Sequence, residues 1–267
     1  MIPVIIPHYQ KPEQLKQCVQ CLKQQTTAVE IFIRDNNQDN VFFTAAVNEG
    51  IRSFLDRDCH YMIILNQDMY LKPDAVQAMV DVMESHPQCG ITMPLQLHPA
   101  KTDYCACAGG LEAFPFGNHS HGPVAQFTGN EPIAWANGAC MMLRKEMIRD
   151  IGLLDKNYVF IGSDSDYCFM ARSRGWEIRR CDAAHGVHEH GASGQSNSPK
   201  VELMKLNDML YFAHKWLTGQ LYRQLALEGP TCTDEYVSTM VQRLEQCRQQ
   251  ASAVASGSHA SPNPATP

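Results

Sequence analysis

The sequence predicts an α/β fold in which a mostly parallel sheet is flanked by helices. Short β-branched apolar runs alternate along the chain with segments whose apolar side chains recur at helical spacing. Two polar loops, residues 34–40 and 66–68, come directly after apolar runs. Ligands gather at the carboxyl ends of strands in such sheets, so these loops are the first candidates for a site.

The first half of the chain reads as strand–helix units. Residues 3–7 form a strand closed by Pro7, and Pro12 opens a helix with apolar positions at helical spacing. The units that follow are a strand over 29–33, a helix over 45–55, a strand over 61–65 and a helix that begins near residue 72.

The second half is less regular. Residues 95–130 are rich in Gly, Pro, His and Asn and predict irregular strands and loops. The later elements are a strand over 135–143, helices over 144–151 and 164–174, a strand over 176–180, and helices over 201–217 and 234–250. We therefore expect one domain over 1–198, helices over 199–250 that pack on it, and a disordered tail over 251–267.

The composition excludes several classes of protein. Lys and Arg number 22 against 28 Asp and Glu, a net charge of −6, which argues against a nucleic-acid partner. No apolar run approaches the roughly 20 residues that a membrane-spanning helix needs. Because the start of the sequence lacks a positively charged leader, we expect a cytoplasmic rather than a secreted protein. The 11 cysteines are then reduced thiols.

Acidic side chains in two segments are candidates for metal-binding or catalytic roles. Asp68 follows the most apolar strand, where a carboxylate can hold Mg²⁺ or Mn²⁺, although an Asx turn explains the same pattern. Asp164 and Asp166 open a predicted helix. Capping of the helix N-terminus accounts for one of these two carboxylates but not for both.

Three histidines lie within six positions, at 185, 188 and 190. In a strand, His188 and His190 share a face, as two ligands of one metal must, although surface loops also collect histidines. Cys18 and Cys21 form a CxxC pair inside a predicted amphipathic helix without a second pair at zinc-ribbon spacing, which argues against a metal or redox motif. Neither GxGxxG after the first strand nor GxxxxGK[ST] is present, so a nucleotide would be held by acidic loops and a cation.

The order of these motifs resembles family 2 glycosyltransferases with the GT-A fold, a Rossmann-like α/β architecture, in a rhamnosyltransferase-like branch. The resemblance covers residues 2–193. Its motifs lie at residues 2–12, 33–37, 48–51, 65–68, 138–144, 151–168, 174–176 and 188–193. It implies inverting, metal-dependent transfer of a sugar from a nucleoside diphosphate to an acceptor hydroxyl, with a short helical C-terminal extension on the fold.

The resemblance also implies roles for residues. Asp164 would be the general base, and Asp68 would bind Mn²⁺ or Mg²⁺ together with His188, or with His190 as the alternative. The residues implied on the donor side are Pro7, Tyr9, Asp35, Asn48, Asn66, Gln67 and Gly138. Asp166 and Trp135 would lie on the acceptor side. Gln10, Asn66 and Ser163 depart from the family pattern, where Asn or Asp, a carboxylate and Glu are usual.

The implied partners are a UDP-, GDP- or dTDP-linked sugar and a glycan, lipid-linked or protein acceptor, in polysaccharide or glycoconjugate synthesis. The helix over 201–217 carries Lys200, Lys205 and Lys215 nearby, so peripheral contact with a membrane is a further hypothesis. A degenerate GT-A domain that binds nucleotide or a partner without catalysis is the main alternative. A nucleotidyltransferase and a metallohydrolase that uses the histidine cluster rank behind it.

Overall fold

The computed structural model describes residues 1–110, 119–189, 198–217 and 234–256. Its strands are β1 (Ile2–His8), β2 (Val29–Asp35), β3 (Tyr61–Leu65), β4 (Met69–Leu71), β5 (Cys89–His98), β6 (Lys101–Cys107), β7 (Gly122–Pro123), β8 (Cys140–Arg144) and β9 (Glu177–His188). Its helices are α1 (Pro12–Lys23), α2 (Phe42–Phe54), α3 (Ala75–Ser85), α4 (Lys145–Ile151), α5 (Ser163–Ser173), α6 (Pro199–Trp216) and α7 (Asp234–Ala255), with a 3-10 turn at Val124–Gln126.

The strands form one sheet in the part of the chain that the structure describes. Its order is β2-β1-β3-β8-β5-β6-β7. In addition, β9 pairs with β5, and β4 pairs with β9. The pairs β1–β2, β1–β3 and β5–β9 are parallel, whereas the other described pairs are antiparallel. The α/β fold is therefore confirmed, but the sheet is mixed rather than mostly parallel, because β8 runs against both of its neighbours.

Alternating side chains of β1 pack into two separate layers. Ile5 points into a core shared with α2, α4, α5, α6 and α7, and Val4 and Ile6 point into a core shared with α1 and α3. Both faces of the sheet are thus covered by helices. Phe212 of α6 and Val237 of α7 belong to the first core, so the C-terminal helices pack directly on the sheet domain.

Several element boundaries differ from the predictions. The strand expected over 135–143 begins only at Cys140, because the Asn137 side chain accepts the N–H of Ala139 and forms a turn. β9 extends eight residues beyond its expected end, to His188, since pairing with β5 and then β4 holds its polar middle section in the sheet. α7 continues to Ala255, so 251–255 are helical, consistent with the helix propensity of Ala.

Two further expectations concern thiols and membranes. All ten cysteines that the structure describes are free, as the prediction of reduced thiols requires. Among the described helices, none is both long and apolar enough to cross a bilayer.

Gly50 gives a first testable prediction. A Cβ on Gly50 would lie 2.3 Å from Cγ2 of Ile5, whose branched side chain is fixed in β1. Gly50→Ala therefore forces overpacking, and we expect a loss of about 1–3 kcal/mol in the free energy of unfolding, measured by urea denaturation. Arg52→Ala, at an exposed position of the same helix, is the control. A Gly50→Ala protein as stable as the control would contradict the close packing of α2 on β1.

Candidate functional site

The carboxyl ends of β1, β2 and β3 meet at one edge of the sheet because these strands are parallel. Tyr9, Asp35 and Asn66 lie at or directly after those ends. The N–H of Asn36 donates to the carbonyl of His8 at 2.7 Å, which joins the first two loops. The edge thereby brings the two polar loops that the sequence marked as candidates, 34–40 and 66–68, together with the loop after β1.

Asp35 is an exposed carboxylate at this edge. Its Oδ1 accepts the backbone N–H of Asn37 at 2.9 Å and the side-chain amide of Asn37 at 2.6 Å. The backbone N–H of Asn37 holds the pKa of Asp35 below its ordinary range. Tyr9 is 43% exposed beside this loop. A charged acceptor and an aromatic ring are therefore both available to a ligand here.

Gln67 fixes the loop that carries Tyr9. Its Oε1 accepts the N–H of Tyr9 at 3.0 Å and lies 2.7 Å from Nδ1 of His8. Its Nε2 donates to the carbonyls of Tyr9 and Gln10 at 3.1 and 3.2 Å. The expectation that Gln67 binds the donor needs correction, because the loop after β1 already occupies both ends of its buried amide.

Asp68 and His188 face each other where β4 pairs with β9. Met69 is the register partner of His188, and the N–H of Glu189 donates to the carbonyl of Asp68 at 3.0 Å. His188 Nε2 lies 3.4 Å from Asp68 Oδ1. Both side chains are nearly buried. The antiparallel pairing thus joins two residues that are 120 positions apart in the sequence.

A hydrogen-bond chain orients the His188 ring. Gln96 Nε2 donates to Asn137 Oδ1 at 3.1 Å, which leaves Gln96 Oε1 to accept from His188 Nδ1, also at 3.1 Å. A neutral imidazole that donates from Nδ1 has its lone pair on Nε2. That lone pair faces the Asp68 carboxylate, so two electron-rich atoms point at each other, an arrangement that suits a bound cation.

Asp164 is tied to the same turn. Its Oδ2 accepts the N–H of Gly138 at 2.8 Å, and its Oδ1 accepts the N–H of Ser165 at 2.8 Å. Gly138 directly follows Asn137, the end of the chain that starts at His188. Burial raises the pKa of Asp164, and the N–H groups of Gly138 and Ser165 act in the opposite direction. The carboxylate is half-buried and fixed in position at the N-terminus of α5.

Asp166 does not lie on the acceptor side, contrary to expectation. It is fully buried and 2.8 Å from Nζ of Lys215. The Trp216 indole N–H and the Tyr158 hydroxyl donate to its Oδ1 at 2.6 and 3.0 Å. The two carboxylates at the start of α5 therefore have different roles: Asp166 anchors α6, and Asp164 faces the site.

Asp208 of α6 fixes the loop before α5. Its carboxylate accepts the consecutive backbone N–H groups of Val159, Phe160 and Ile161 at 3.1, 2.7 and 2.9 Å. It is 2% exposed. This loop leads into Gly162 and the N-terminus of α5, so Asp208 and Asp166 hold the segment that carries Asp164 from both sides.

Other predicted site residues lie in the scaffold. Asn48 donates to the Leu154 carbonyl at 2.8 Å and accepts the Leu154 N–H at 3.1 Å, so its buried amide is used inside the protein and not at the donor side. Trp135 is 4% exposed and its ring packs on His119, so little of its surface is open to an acceptor. Pro7 lies within β1, in register with Arg34 of β2.

The histidine cluster is only partly joined in space. His185 Nε2 lies 3.0 Å from the Asp182 carbonyl and does not contact the Asp68–His188 pair. His190 lies outside the described residues. Among the described parts of the chain, no group of three or more His, Cys, Asp or Glu is arranged to hold a metal ion. A hydrolase site that uses all three histidines includes His190 and stays a prediction.

The donor set of Asp68 and His188 nevertheless fits Mn²⁺ or Mg²⁺. It supplies a carboxylate oxygen and an imidazole lone pair whose direction Gln96 fixes. Cations of this kind are often bound by one or two protein ligands and complete their coordination with substrate phosphate oxygens and water. Two protein ligands are therefore chemically sufficient for a cation that bridges to a diphosphate.

Four residues of this arrangement escaped the sequence analysis: Gln96, Asn137, His119 and Asp208. Gln96 has a sequence signal, since it is a polar residue inside an otherwise apolar strand. Asn137 precedes Gly138, a pattern typical of a turn. His119 and Asp208 carry no such signal, because their contacts are set by distant segments.

A family model described as "Glycosyltransferase like family 2" matches residues 42–200. The chain belongs to this family. The matched range contains Asp68, Gly138, Asp164 and His188. The resemblance inferred from the sequence motifs is thus confirmed.

This family 2 glycosyltransferase is similar to two curated relatives. It is 22% identical over 156 residues to the low-salt glycan biosynthesis hexosyltransferase Agl10 of Haloferax volcanii, covering 55% of this chain and 48% of that protein. It is 23% identical over 157 residues to the N-acetylglucosaminyl-diphospho-decaprenol L-rhamnosyltransferase of Mycobacterium tuberculosis, covering 54% and 51%. The chain matches these relatives over about half of their length.

A solved structure of low sequence identity shares the fold. The crystal structure of GalNAc-T7 with UDP, GalNAc and Mn²⁺ is 12% identical, with a TM-score of 0.64, and covers 94% of this chain and 54% of that one. The GT-A fold of the family 2 glycosyltransferase is therefore confirmed.

Asp208 gives a prediction for this site. Asp208→Ala leaves three neighbouring backbone N–H groups without their acceptor, and we expect it to lower the free energy of unfolding by about 3 kcal/mol in urea denaturation. Asn207→Ala, at the exposed neighbouring position, is the matched control. An Asp208→Ala protein as stable as Asn207→Ala would show that the carboxylate does not hold the loop.

Proposed function

We propose that this chain is an inverting glycosyltransferase that moves a sugar from a UDP-, GDP- or dTDP-linked donor to a hydroxyl group of an acceptor. The observation that carries the proposal is the joining of Asp68, His188 and Asp164 through one turn, at residues 137–139. This arrangement supports the proposal, because the Asp68–His188 pair and the fixed Asp164 carboxylate are connected through that turn.

The proposed chemistry divides between the two halves of the site. Asp164 takes the proton from the attacking acceptor hydroxyl as the new glycosidic bond forms at the anomeric carbon and the bond to phosphate breaks. Asp68 and His188 would hold Mn²⁺ or Mg²⁺, which supplies positive charge to the diphosphate leaving group. The Mn²⁺ and UDP named for the solved GT-A structure support this choice of cofactor and donor.

On the donor side, Tyr9 and Asp35 lie where the nucleoside would bind, with Asp35 as the acceptor of a hydrogen bond from the base. Pro7, Asn66 and Gly138 are proposed contacts at the same edge. The acceptor class follows from the relatives, whose names specify glycan biosynthesis and a diphospho-decaprenol-linked sugar. We therefore favour a glycan or lipid-linked acceptor over a protein, in polysaccharide or glycoconjugate synthesis.

Peripheral membrane contact through α6 has little support from its charges. Lys215 pairs with Asp155 and Asp166 at 3.0 and 2.8 Å, and Lys205 lies 3.9 Å from Glu202. Because nearby carboxylates offset two of the three lysines, the helix presents little net positive charge. Membrane association stays a prediction that depends on the acceptor.

The decisive experiment measures nucleoside diphosphate released from a panel of UDP-, GDP- and dTDP-sugars with Mn²⁺ and candidate acceptors. We expect release from one donor class, its loss in EDTA, and a decrease of at least about 100-fold in Asp164→Asn, because general-base catalysis contributes that much. Asp74→Asn, an exposed carboxylate at the start of α3, is the control. Full activity in Asp164→Asn would refute the assignment of the base. Nucleotide binding without release from any donor would favour a degenerate binding domain.

The pH dependence of the reaction tests Asp164 separately. Burial raises its pKa above the ordinary value of 3.8, and a general base acts only when ionised. The transfer rate therefore falls as the pH drops through this raised pKa, and we expect the acid limb of kcat/KM above the range of an ordinary Asp. A rate that stays constant down to about pH 4 would contradict the prediction.

A further inference from the structure

His119 has a defined position beside the site, and the proposed reaction gives it no role. The segment after β6 pairs with the backbone on both sides: Ser120 N–H donates to the Gly109 carbonyl at 2.8 Å, and Gly110 N–H donates to the Trp135 carbonyl at 3.0 Å. The rings of His119 and Trp135 pack with their centroids 4.8 Å apart. A Cβ on Gly110 would lie 2.0 Å from Nε1 of Trp135, so only glycine permits this packing.

Cys107 orients the His119 ring. Its Sγ lies 3.0 Å from His119 Nδ1. Burial raises the pKa of Cys107 to about 12, so the thiol keeps its proton, and we infer that its S–H donates a hydrogen bond to Nδ1. The imidazole then carries its own proton on Nε2. Burial also lowers the pKa of His119, so the ring is a neutral donor at pH 7.

The sheet register places His119 near both halves of the site. Cys107 is the antiparallel partner of Gln96, and directly opposed residues point to the same face. Gln96 holds His188 while Cys107 holds His119, so the two imidazoles flank one strand pair.

The position of His119 indicates which part of the substrate it would contact. In an inverting transfer, the base that activates the acceptor and the leaving diphosphate lie on opposite sides of the transferred sugar. The strand pair that holds His119 through Cys107 also holds His188 through Gln96, and Gln96 is linked through Asn137 and Gly138 to Asp164, so His119 borders the space for the sugar between them. We propose that His119 is a further substrate-contacting residue, whose Nε2–H donates a hydrogen bond to a hydroxyl group of the transferred sugar. This inference rests on the proposed function.

Calorimetry with the nucleoside diphosphate and with the matching nucleotide sugar, both with Mn²⁺, isolates this contact. We expect His119→Leu to weaken binding of the nucleotide sugar about tenfold and to leave binding of the nucleoside diphosphate unchanged, because one neutral hydrogen bond is lost. His119→Gln keeps an N–H donor near the Nε2 position, and we expect it to restore most of the affinity. His121→Leu, on the same segment but bonded to Tyr104, is the control and should bind both ligands normally.

The outcomes separate the two proposals. A wild-type protein that binds none of the UDP-, GDP- or dTDP-sugars overturns the proposed function and this inference with it. A wild-type protein that binds one of them, with His119→Leu weakening both ligands equally or neither, overturns the role of His119 alone.

A second measurement needs no variant. The Nε2–H proton resonance of His119 in the wild-type protein should shift when the nucleotide sugar is added, and should not shift with the nucleoside diphosphate alone. An unchanged resonance in saturating nucleotide sugar would overturn the inference, even where His119→Leu fails to fold.

Discussion

Asn137 accepts hydrogen bonds from two directions, from Gln96 Nε2 at 3.1 Å and from the N–H of Ala139 at 3.0 Å. The first bond extends to His188 and so to Asp68, and the second closes the turn that aims the N–H of Gly138 at Asp164. This turn is the physical connection between the Asp68–His188 pair and the Asp164 carboxylate. Because β8 follows it and pairs antiparallel with β3, the turn is fixed beside Asn66 as well, through the bond from Asn66 N–H to the Ala139 carbonyl.

The two carboxylates that open α5 show how burial separates identical side chains. Asp164 accepts two backbone N–H groups and is half-buried, whereas Asp166 is fully buried with Lys215, Trp216 and Tyr158 around it. A buried carboxylate without such partners would be costly, so α6 has to be in place for the helix to form as it does. The C-terminal helices are thus part of the structure that positions the proposed base.

Motif residues of the family have structural as well as chemical roles here. Asn48 ties α2 to the segment before α5, and Gly50 lets α2 approach β1 closely. Gln67, in the segment over 65–68 that resembles the family's metal loop, fixes the loop that carries Tyr9. Hydrogen-bond satisfaction explains these assignments, because a buried side-chain amide must use both its donor and its acceptor groups within the protein.

Local sequence patterns predicted the α/β class, the family, the strand–helix units of the first half, and the segments that carry Asp35, Asp68, Asp164 and His188, but they missed β4 and β5. Apolar periodicity and turn residues are local signals, so they can be recognised in the sequence without knowledge of the fold. The packing of distant segments showed that β8 makes the sheet mixed, that Asp166 anchors α6, and that Gln96 and Asp208 hold the segments that carry His188 and Asp164. These outcomes depend on contacts between segments far apart in the chain, and the burial and partners that set each side chain's role exist only once those segments have packed together.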